Sequence, residues 1–282
     1  MYTTITPLLS AAAQTGYTVG AFNAHNLEML PPMIQAARDL GAPIIIQTSA
    51  GTARYVGMRN FVAVCRTLAD NEAVDVALHL DHATSIEDIE DAITAGYSSV
   101  MYDGSALPFT QNIVASQRVV EYAHARDVSV EAEIGTIGGT EDGIEHEHGN
   151  YTQPEEVTAF LDAVDCDALA ISIGTNHGQF RDKTQLDFPL LERIHAVTDR
   201  PLVVHGGTGV DEADYPRLMA NGIRKFNVGT ELLVGWTRSA QEALAASPVN
   251  RSLRHNMIPA NDTVRDVVSH KITLFLGVPV QR

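Results

Sequence analysis

Residues 79–82 read His79-Leu80-Asp81-His82 and close a run, Val74-Asp75-Val76-Ala77-Leu78, with the alternation of a buried strand. A strand that stops on Asp-His sets a carboxylate and an imidazole side by side at its mouth. One can hold a metal while the other moves a proton. The four residues alone equally suit a polar strand end with a hydrogen-bonded histidine. Two more histidines shift that balance. His177 follows the run Ala168-Leu169-Ala170-Ile171-Ser172-Ile173, and His205 ends Pro201-Leu202-Val203-Val204. Three histidines, each just past a strand, suit a zinc site with three protein ligands and an open fourth position.

The elements that must position them follow from the periodicity. Strands are expected at residues 17–22, 43–48, 74–80, 98–103, 129–134, 168–173, 202–205 and 222–228. Amphipathic helical stretches separate them, among them 27–40 and 86–95, and Thr84 with Glu87 makes a capping box for the second. Strands alternating with helices imply a parallel sheet with right-handed crossovers. Eight such units in 282 residues imply an α/β chain folded as one closed (β/α)8, or TIM, barrel domain spanning residues 1–282. An open doubly wound sheet is the alternative. A barrel of this kind carries its chemistry at the C-terminal strand ends. His82, Asp103, Glu133, His177 and His205 all fall there, on the third to seventh strands, and their convergence is the signal. Residues 135–151 read as a long Gly- and acid-rich loop of the sort that closes over a site. Its His146-Glu147-His148 reads as solvated loop rather than as ligands.

Two more loops speak for an anion. The seventh strand ends His205-Gly206-Gly207-Thr208-Gly209, and the eighth ends Asn227-Val228-Gly229-Thr230 and runs into a helix. Glycines let backbone N–H groups approach an anion, and a helix N-terminus adds partial positive charge. A lone Gly-Gly-Thr-Gly would pass for ordinary turn chemistry. The loops after strands seven and eight together read as the phosphate cradle of a barrel.

Charge narrows the partners. At a formal −16, the surface repels nucleic acid and anionic membranes. Hydrophobic residues make up 45% of the chain, yet no apolar run approaches the roughly 20 residues of a membrane span. The first residues lack the basic and apolar regions of a signal peptide. Cys65 and Cys166 read as reduced, buried thiols of a cytoplasmic enzyme rather than as a disulfide.

Zinc held by histidines polarises a carbonyl, a cradle holds the phosphate of a phosphorylated ketone, and a neighbouring carboxylate passes a proton. Together these fit cleavage or formation of a carbon–carbon bond beside a carbonyl. A Schiff-base enzyme would need a desolvated lysine instead. The lysines are Lys183, in a polar loop, Lys271, in a C-terminal helix, and Lys225. Strand alternation puts Lys225 on the same side as Asn227, where it is most simply a buried ion-pair partner, with Glu131 the candidate.

At these motifs the sequence resembles the metal-dependent (class II) ketose-bisphosphate aldolases, nearest the tagatose-bisphosphate branch. The resemblance runs from about Tyr17 through Thr230, with a weaker match at residues 264–272. It rests on Leu78-His79-Leu80-Asp81-His82, Val130-Glu131-Ala132-Glu133-Ile134-Gly135, Gly138-Gly139-Thr140-Glu141-Asp142-Gly143, Gly174-Thr175-Asn176-His177-Gly178 and His205-Gly206-Gly207-Thr208-Gly209. It implies His82, His177 and His205 as zinc ligands and Asp81 as the proton carrier at the hydroxyl that becomes the aldehyde. It implies Glu141 as the carboxylate that takes the proton from dihydroxyacetone phosphate. Asp103 and Glu133 match positions that orient ligands or hold an alternative or second metal, or a monovalent cation. Gly178, Gly206, Gly207, Thr208, Asn227, Val228, Gly229 and Thr230 match the dihydroxyacetone-phosphate cradle, and Asn23 and Ser49 match further substrate positions. A homodimer or homotetramer is implied as well.

The chain departs from the family in two places. One fructose-bisphosphate branch carries an acid where this chain has Gly229, and residues 250–263 lack a Pro-Arg-Lys-Tyr-like pattern. Arg54 is a candidate for the far phosphate, against the reading of an ordinary surface arginine. The expected activity is zinc-dependent cleavage of tagatose or fructose 1,6-bisphosphate to dihydroxyacetone phosphate and glyceraldehyde 3-phosphate. A class II aldolase with another aldehyde partner is an alternative. A zinc hydrolase on the same barrel is another, but such enzymes commonly carry His-x-His at the first strand, where this chain reads Ala21-Phe22-Asn23. A non-catalytic sugar-phosphate binder would leave Asp81 and Glu141 without a task.

Overall fold

The computed structural model describes residues 1–141, 144–146, 150–177, 185–207, 209–249 and 251–277; the side chains of residues 138–141, 144–146, 176 and 177 lie outside that description. Every expected barrel strand forms. They are β1 (Val19–Asn23), β2 (Ile44–Ser49), β3 (Val76–Ala83), β4 (Ser99–Tyr102), β5 (Ser129–Ile134), β6 (Ala168–Ile171), β7 (Leu202–Val204) and β8 (Ile223–Val228). They pair in parallel in chain order, and β1 closes on β8 through Val19↔Lys225 and Phe22↔Val228. The sheet is therefore a closed (β/α)8 barrel, not an open one.

Side-chain alternation divides the core in two. Outward residues such as Phe22, Ile46, Leu80, Val130 and Phe226 pack under the surrounding helices in one large cluster. Inward residues Val19, Ala21, Ile45, Ala77, Met101, Ala168, Ala170 and Val203 form a second cluster. That cluster also contains Ile5, Leu8, Leu9 and Ala12, from the N-terminal helix Ile5–Thr15. The backbone N–H of Thr6 donates to Ser129 Oγ at the first residue of β5, 3.3 Å away. The helix thus plugs the end where the strands begin. Farther along the same inward rows the chemistry changes to Gln47, His79, Asp81, Glu131, Glu133, Lys225 and Asn227, all buried.

The connections correct the expectations in detail. The stretch 27–40 is a 3₁₀ turn, Leu27–Met29, followed by the helix Leu30–Asp39. Pro31 and Pro32 lack the N–H of a helix interior and fit its first turn. The helix Ile86–Ala95 is capped by Ser85, not Thr84: Ser85 Oγ accepts from the Glu87 N–H at 3.2 Å. The acid-rich stretch after β5 is not an irregular loop. Gly138–Glu141 and Ile144–His146 pair antiparallel, and Asn176–His177 pairs with the first of them, giving a small three-stranded sheet. Backbone hydrogen bonding between glycines and β-formers there outweighs the loop-like composition. Cys65 and Cys166 are free, and burial pushes both thiols up to about 12. Among the described residues no helix is long and apolar enough to cross a membrane.

The corrected cap makes a direct comparison. Ser85→Ala should lower stability in urea unfolding by about 1 kcal/mol, the usual worth of an N-cap. Thr84→Ala should leave the midpoint within error, and the reverse order would return the cap to Thr84.

Candidate active site

Asp81 and His82 are adjacent on β3, so a regular strand would send one in and the other out. Asp81 continues the inward row of Ala77 and His79. His82 escapes the alternation because its backbone is left-handed, with φ 48°. The β3–β4 register shifts at the same place, between Leu80 and Ala83. This kink turns the His82 ring back over the barrel mouth. There His82 Nε2 lies 2.8 Å from His205 Nδ1, with the rings edge to face. One ligand atom from each of Asp81, His82 and His205 falls within 4.8 Å of the others, and the same holds for His82, Asp103 and Glu133.

The far nitrogens of the two rings meet carboxylates. His82 Nδ1 is 2.9 Å from Asp103 Oδ2, and His205 Nε2 is 2.8 Å from Glu131 Oε1. Burial raises the cost of the Asp103 charge, but His82 and the two donors of Ser105 outweigh it and hold the carboxyl well below its usual range. Glu131 is likewise held low, because Lys225 and His205 overcome its burial. Burial and the neighbouring His82 push His205 down, toward neutral imidazole. A carboxylate on one nitrogen fixes the N–H there and leaves the other as a lone pair. Two such lone pairs facing each other at 2.8 Å repel unless a proton lies between them or a metal ion binds beside both. The donor set of two imidazoles and a carboxylate suits a divalent metal of the zinc type.

Asp81 is clamped by amides. Its Oδ2 accepts from Gln47 Nε2 at 2.8 Å and Asn23 Nδ2 at 3.2 Å, and its Oδ1 accepts from Asn227 Nδ2 at 3.1 Å. Gln47 also donates to Asn23 Oδ1 at 2.8 Å, which locks the clamp together. Both Asp81 oxygens are therefore fixed from β1, β2 and β8 at once. Beneath them Lys225 Nζ sits 2.9 Å from Glu131 Oε2 and donates to Asn227 Oδ1 at 2.7 Å. The lysine is an ion-pair partner of Glu131, as alternation suggested.

The loop after β7 rests against the end of β8. A Cβ on Gly207 would lie 2.1 Å from the Phe226 ring and 2.9 Å from the Asn227 carbonyl, so only glycine fits this approach. Gly206 is left-handed at φ 67°. Gly229 caps the 16-residue helix Thr230–Ala245, whose N-terminus opens on the same side. Backbone N–H groups and a helix end together make a place an anion can occupy. Val228 packs outward in the large core, so only its backbone can face a ligand there.

A sequence model of the family described as fructose-bisphosphate aldolase class-II matches residues 3–277. The chain belongs to the class II fructose-bisphosphate aldolase family. It is 38% identical over 274 residues to a probable fructose-bisphosphate aldolase of Bacillus subtilis (strain 168), covering 96% of each chain. The crystal structure of the YdjI aldolase from Escherichia coli K12 superposes with a TM-score of 0.86 at 30% identity, over 98% of this chain and 97% of that one. The fold is shared with the fructose-bisphosphate aldolase of Campylobacter jejuni, at a TM-score of 0.82 and 20% identity, over 98% and 96% of the two chains. The protein is thus a class II aldolase, a lyase of a metal-dependent family whose substrates are phosphorylated sugars.

Against that identity, the structure of this aldolase gathers Asp81, His82, His205, Asp103, Glu133, Asn23 and Asn227 at one mouth. The Asn227 side chain accepts from Lys225 and donates to Asp81. Ser49 caps the helix Ala50–Val56, its Oγ accepting from the Thr52 N–H at 3.2 Å. Arg54, on that helix, is exposed and pairs with Asp88. His177 and Glu141 lie on the small sheet, their side chains outside the described residues; Gly178 and Thr208 are outside the described residues altogether. Sequence reasoning missed Gln47. Its signal was present: a lone amide ends the inward row of an otherwise isoleucine-rich strand.

Gln47→Met should keep the barrel folded and its metal content unchanged by atomic emission, while kcat falls about tenfold through loss of a hydrogen bond to a charged group. An unchanged kcat would show that Gln47 does not set the working position of Asp81.

Proposed function

We propose that this aldolase is zinc-dependent and reversibly cleaves a ketose 1,6-bisphosphate, tagatose or fructose, to dihydroxyacetone phosphate and glyceraldehyde 3-phosphate. The observation that carries the reading is the facing pair His82 Nε2 and His205 Nδ1 at 2.8 Å, each ring backed by a carboxylate, with the clamped Asp81 beside them. His82 and His205, with His177, would hold the ion, while Asp103 and Glu133 orient ligands or lend a second position. Zinc bound there supplies a Lewis acid for the ketone carbonyl of the substrate.

The rest of the chemistry belongs to the chain. Asp81 takes the proton of the C4 hydroxyl as the C3–C4 bond breaks, so that oxygen becomes the aldehyde. The bond electrons remain on C3 of the dihydroxyacetone-phosphate half. Glu141 returns a proton to that carbon and removes it in the reverse direction. Gly178, Gly206, Gly207 and Thr208, with Asn227, Val228, Gly229 and Thr230, take the phosphate, and Asn23 and Ser49 line the substrate side. Lys225 is held by Glu131 and Asn227, and Lys271 lies 3.1 Å from Glu231, which favours metal chemistry over a Schiff base. The whole chain, 1–282, acts as one catalytic barrel in a cytoplasmic homodimer or homotetramer.

Dialysis against EDTA should abolish cleavage and added zinc should restore it. Borohydride in the presence of dihydroxyacetone phosphate should leave activity intact, whereas irreversible loss would establish the Schiff-base route. Fructose and tagatose bisphosphates assayed side by side name the preferred sugar; failure on both moves the reading to another aldehyde partner.

Two variants assign the proton carriers. Asp81→Ala should retain zinc and lose roughly 10²–10⁴-fold in turnover, the usual worth of a general acid–base group. Glu141→Ala should bind dihydroxyacetone phosphate yet stop exchange of its carbon-bound proton with deuterated solvent. Exchange at the wild-type rate would remove Glu141 from that role.

A further inference from the structure

Lys225 is fully buried and is absent from the steps above. Its ammonium nevertheless joins both ends of the site. On one side it sits 2.9 Å from Glu131 Oε2, and the other oxygen of that carboxylate is 2.8 Å from His205 Nε2. On the other side it donates to Asn227 Oδ1 at 2.7 Å, and the Asn227 amide donates to Asp81 Oδ1 at 3.1 Å. We propose that Lys225 is a positioning residue, setting the ring of His205 through Glu131 and the carboxylate of Asp81 through Asn227.

The physical argument is one of hydrogen-bond polarity. An amide side chain can be flipped, and the two orientations of Asn227 differ in which group meets Asp81. A carbonyl oxygen turned to Asp81 would oppose two acceptors. The Lys225 ammonium, a donor only, accepts nothing, so it claims the Asn227 oxygen and forces the NH2 toward Asp81. In the same way it anchors one oxygen of Glu131, leaving the other aimed at His205 Nε2. The Nδ1 of His205 is then the nitrogen presented toward His82. A single buried cation thereby fixes the amide direction in the chain to Asp81 and, through an ion pair, the place of the carboxylate in the chain to His205. Lys225 and Asn227 are two apart on β8, so both point inward, and the strand itself sets their spacing. His79 closes the remaining flank of Glu131, with Nε2 3.6 Å from Oε2 and Nδ1 2.7 Å from Ser99 Oγ.

The proposal rests on the roles given above to His205 and Asp81, and the test separates the two. Lys225→Met removes the ammonium at similar length, but it leaves Glu131 as an unpaired buried charge and can fail to fold. Lys225→Met/Glu131→Gln removes both charges; its reference, Glu131→Gln, leaves the ammonium on Asn227 alone, so the fold of both variants is checked. Zinc affinity of the apoprotein is read by chelator competition, thermal unfolding reports the fold, and kcat and KM are measured at saturating zinc. Glu131→Gln should weaken zinc about 10–100-fold, as loss of a carboxylate behind a ligating histidine usually does. Adding Lys225→Met should lower kcat about tenfold further with KM little changed, because only the Asn227–Asp81 chain is newly released. If the double variant turns over like Glu131→Gln at saturating zinc, Lys225 is structural only and the proposal falls.

A measurement on the wild type stands apart from folding. Nitrogen-15 spectra of the histidine-labelled apoprotein should show a proton on His205 Nε2; an unprotonated Nε2 would overturn the chain through Glu131. His205→Ala and Asp81→Ala are the controls. Wild-type zinc affinity in the first, or wild-type turnover in the second, would fault the assignment of the site rather than the part given to Lys225.

Discussion

One backbone angle holds the mouth of the barrel together. With φ at 48°, His82 stands in a region that a non-glycine residue enters at a cost of about 1–2 kcal/mol. Straightened into regular strand, His82 would face the helices and leave Asp81 alone inside. The facing imidazoles, their carboxylates and the metal-competent triad all require the kink. It persists because its surroundings over-determine it: Asp103 accepts at the His82 ring from the end of β4, and the amides of β1, β2 and β8 hold the neighbouring Asp81 from the opposite side. Strain at this position is stored where two different groups, a ligand and a proton carrier, must come from consecutive residues.

The second constraint is charge. The inner rows place Asp81, Glu131 and Glu133 in the barrel beside Asp103, and among the described residues Lys225 is the lysine inside with them. Buried carboxylates without partners are expensive. Amides offset Asp81, the ammonium and His205 offset Glu131, and His82 and Ser105 offset Asp103. What remains is an excess of negative charge around the facing histidines, the electrostatic complement of a divalent cation. The apolar plug below matters to this balance. Helix Ile5–Thr15 and the small inward residues Ala21, Ala77, Ala168 and Ala170 keep the lower barrel dry, so the charged layer is closed on that side and open only at the mouth.

Much of this was legible in the sequence because period-two alternation is written in residue type. The eight strands, the barrel, the inward pairing of Lys225 with Glu131, and the gathering of His82, His205, Asp103 and Glu133 follow from where polar residues interrupt apolar rows. What stayed hidden depends on features that residue type does not encode. The kink at His82 is a single dihedral in a strand of ordinary composition. Gln47 reads as a stray polar residue until the register Gln47↔His79 carries it beside Asp81. The plug helix is amphipathic like any other, and nothing in it announces that its apolar face enters the barrel. The three-stranded sheet after β5 was obscured by glycines and acids, which are poor strand formers locally but pair here through the backbone.

The loop after β8 meets the clamp on Asp81 at a contact that a side chain could enter only by moving its neighbour. A Cβ on Gly229 would lie 2.9 Å from Asn23 Oδ1, the same oxygen that accepts from Gln47. Asn23 belongs to the Asp81 clamp, so the N-terminus of helix Thr230–Ala245 rests directly against the clamp. A residue with a side chain at 229, such as the acid found in one branch of the family, would displace Asn23 and with it one of the donors to Asp81. In this chain glycine at 229 lets the backbone at the helix N-terminus and the Asp81 clamp share a wall. A phosphate seated on that backbone would then stand at a fixed distance from Asp81, set by packing between two strand ends rather than by any contact the substrate makes.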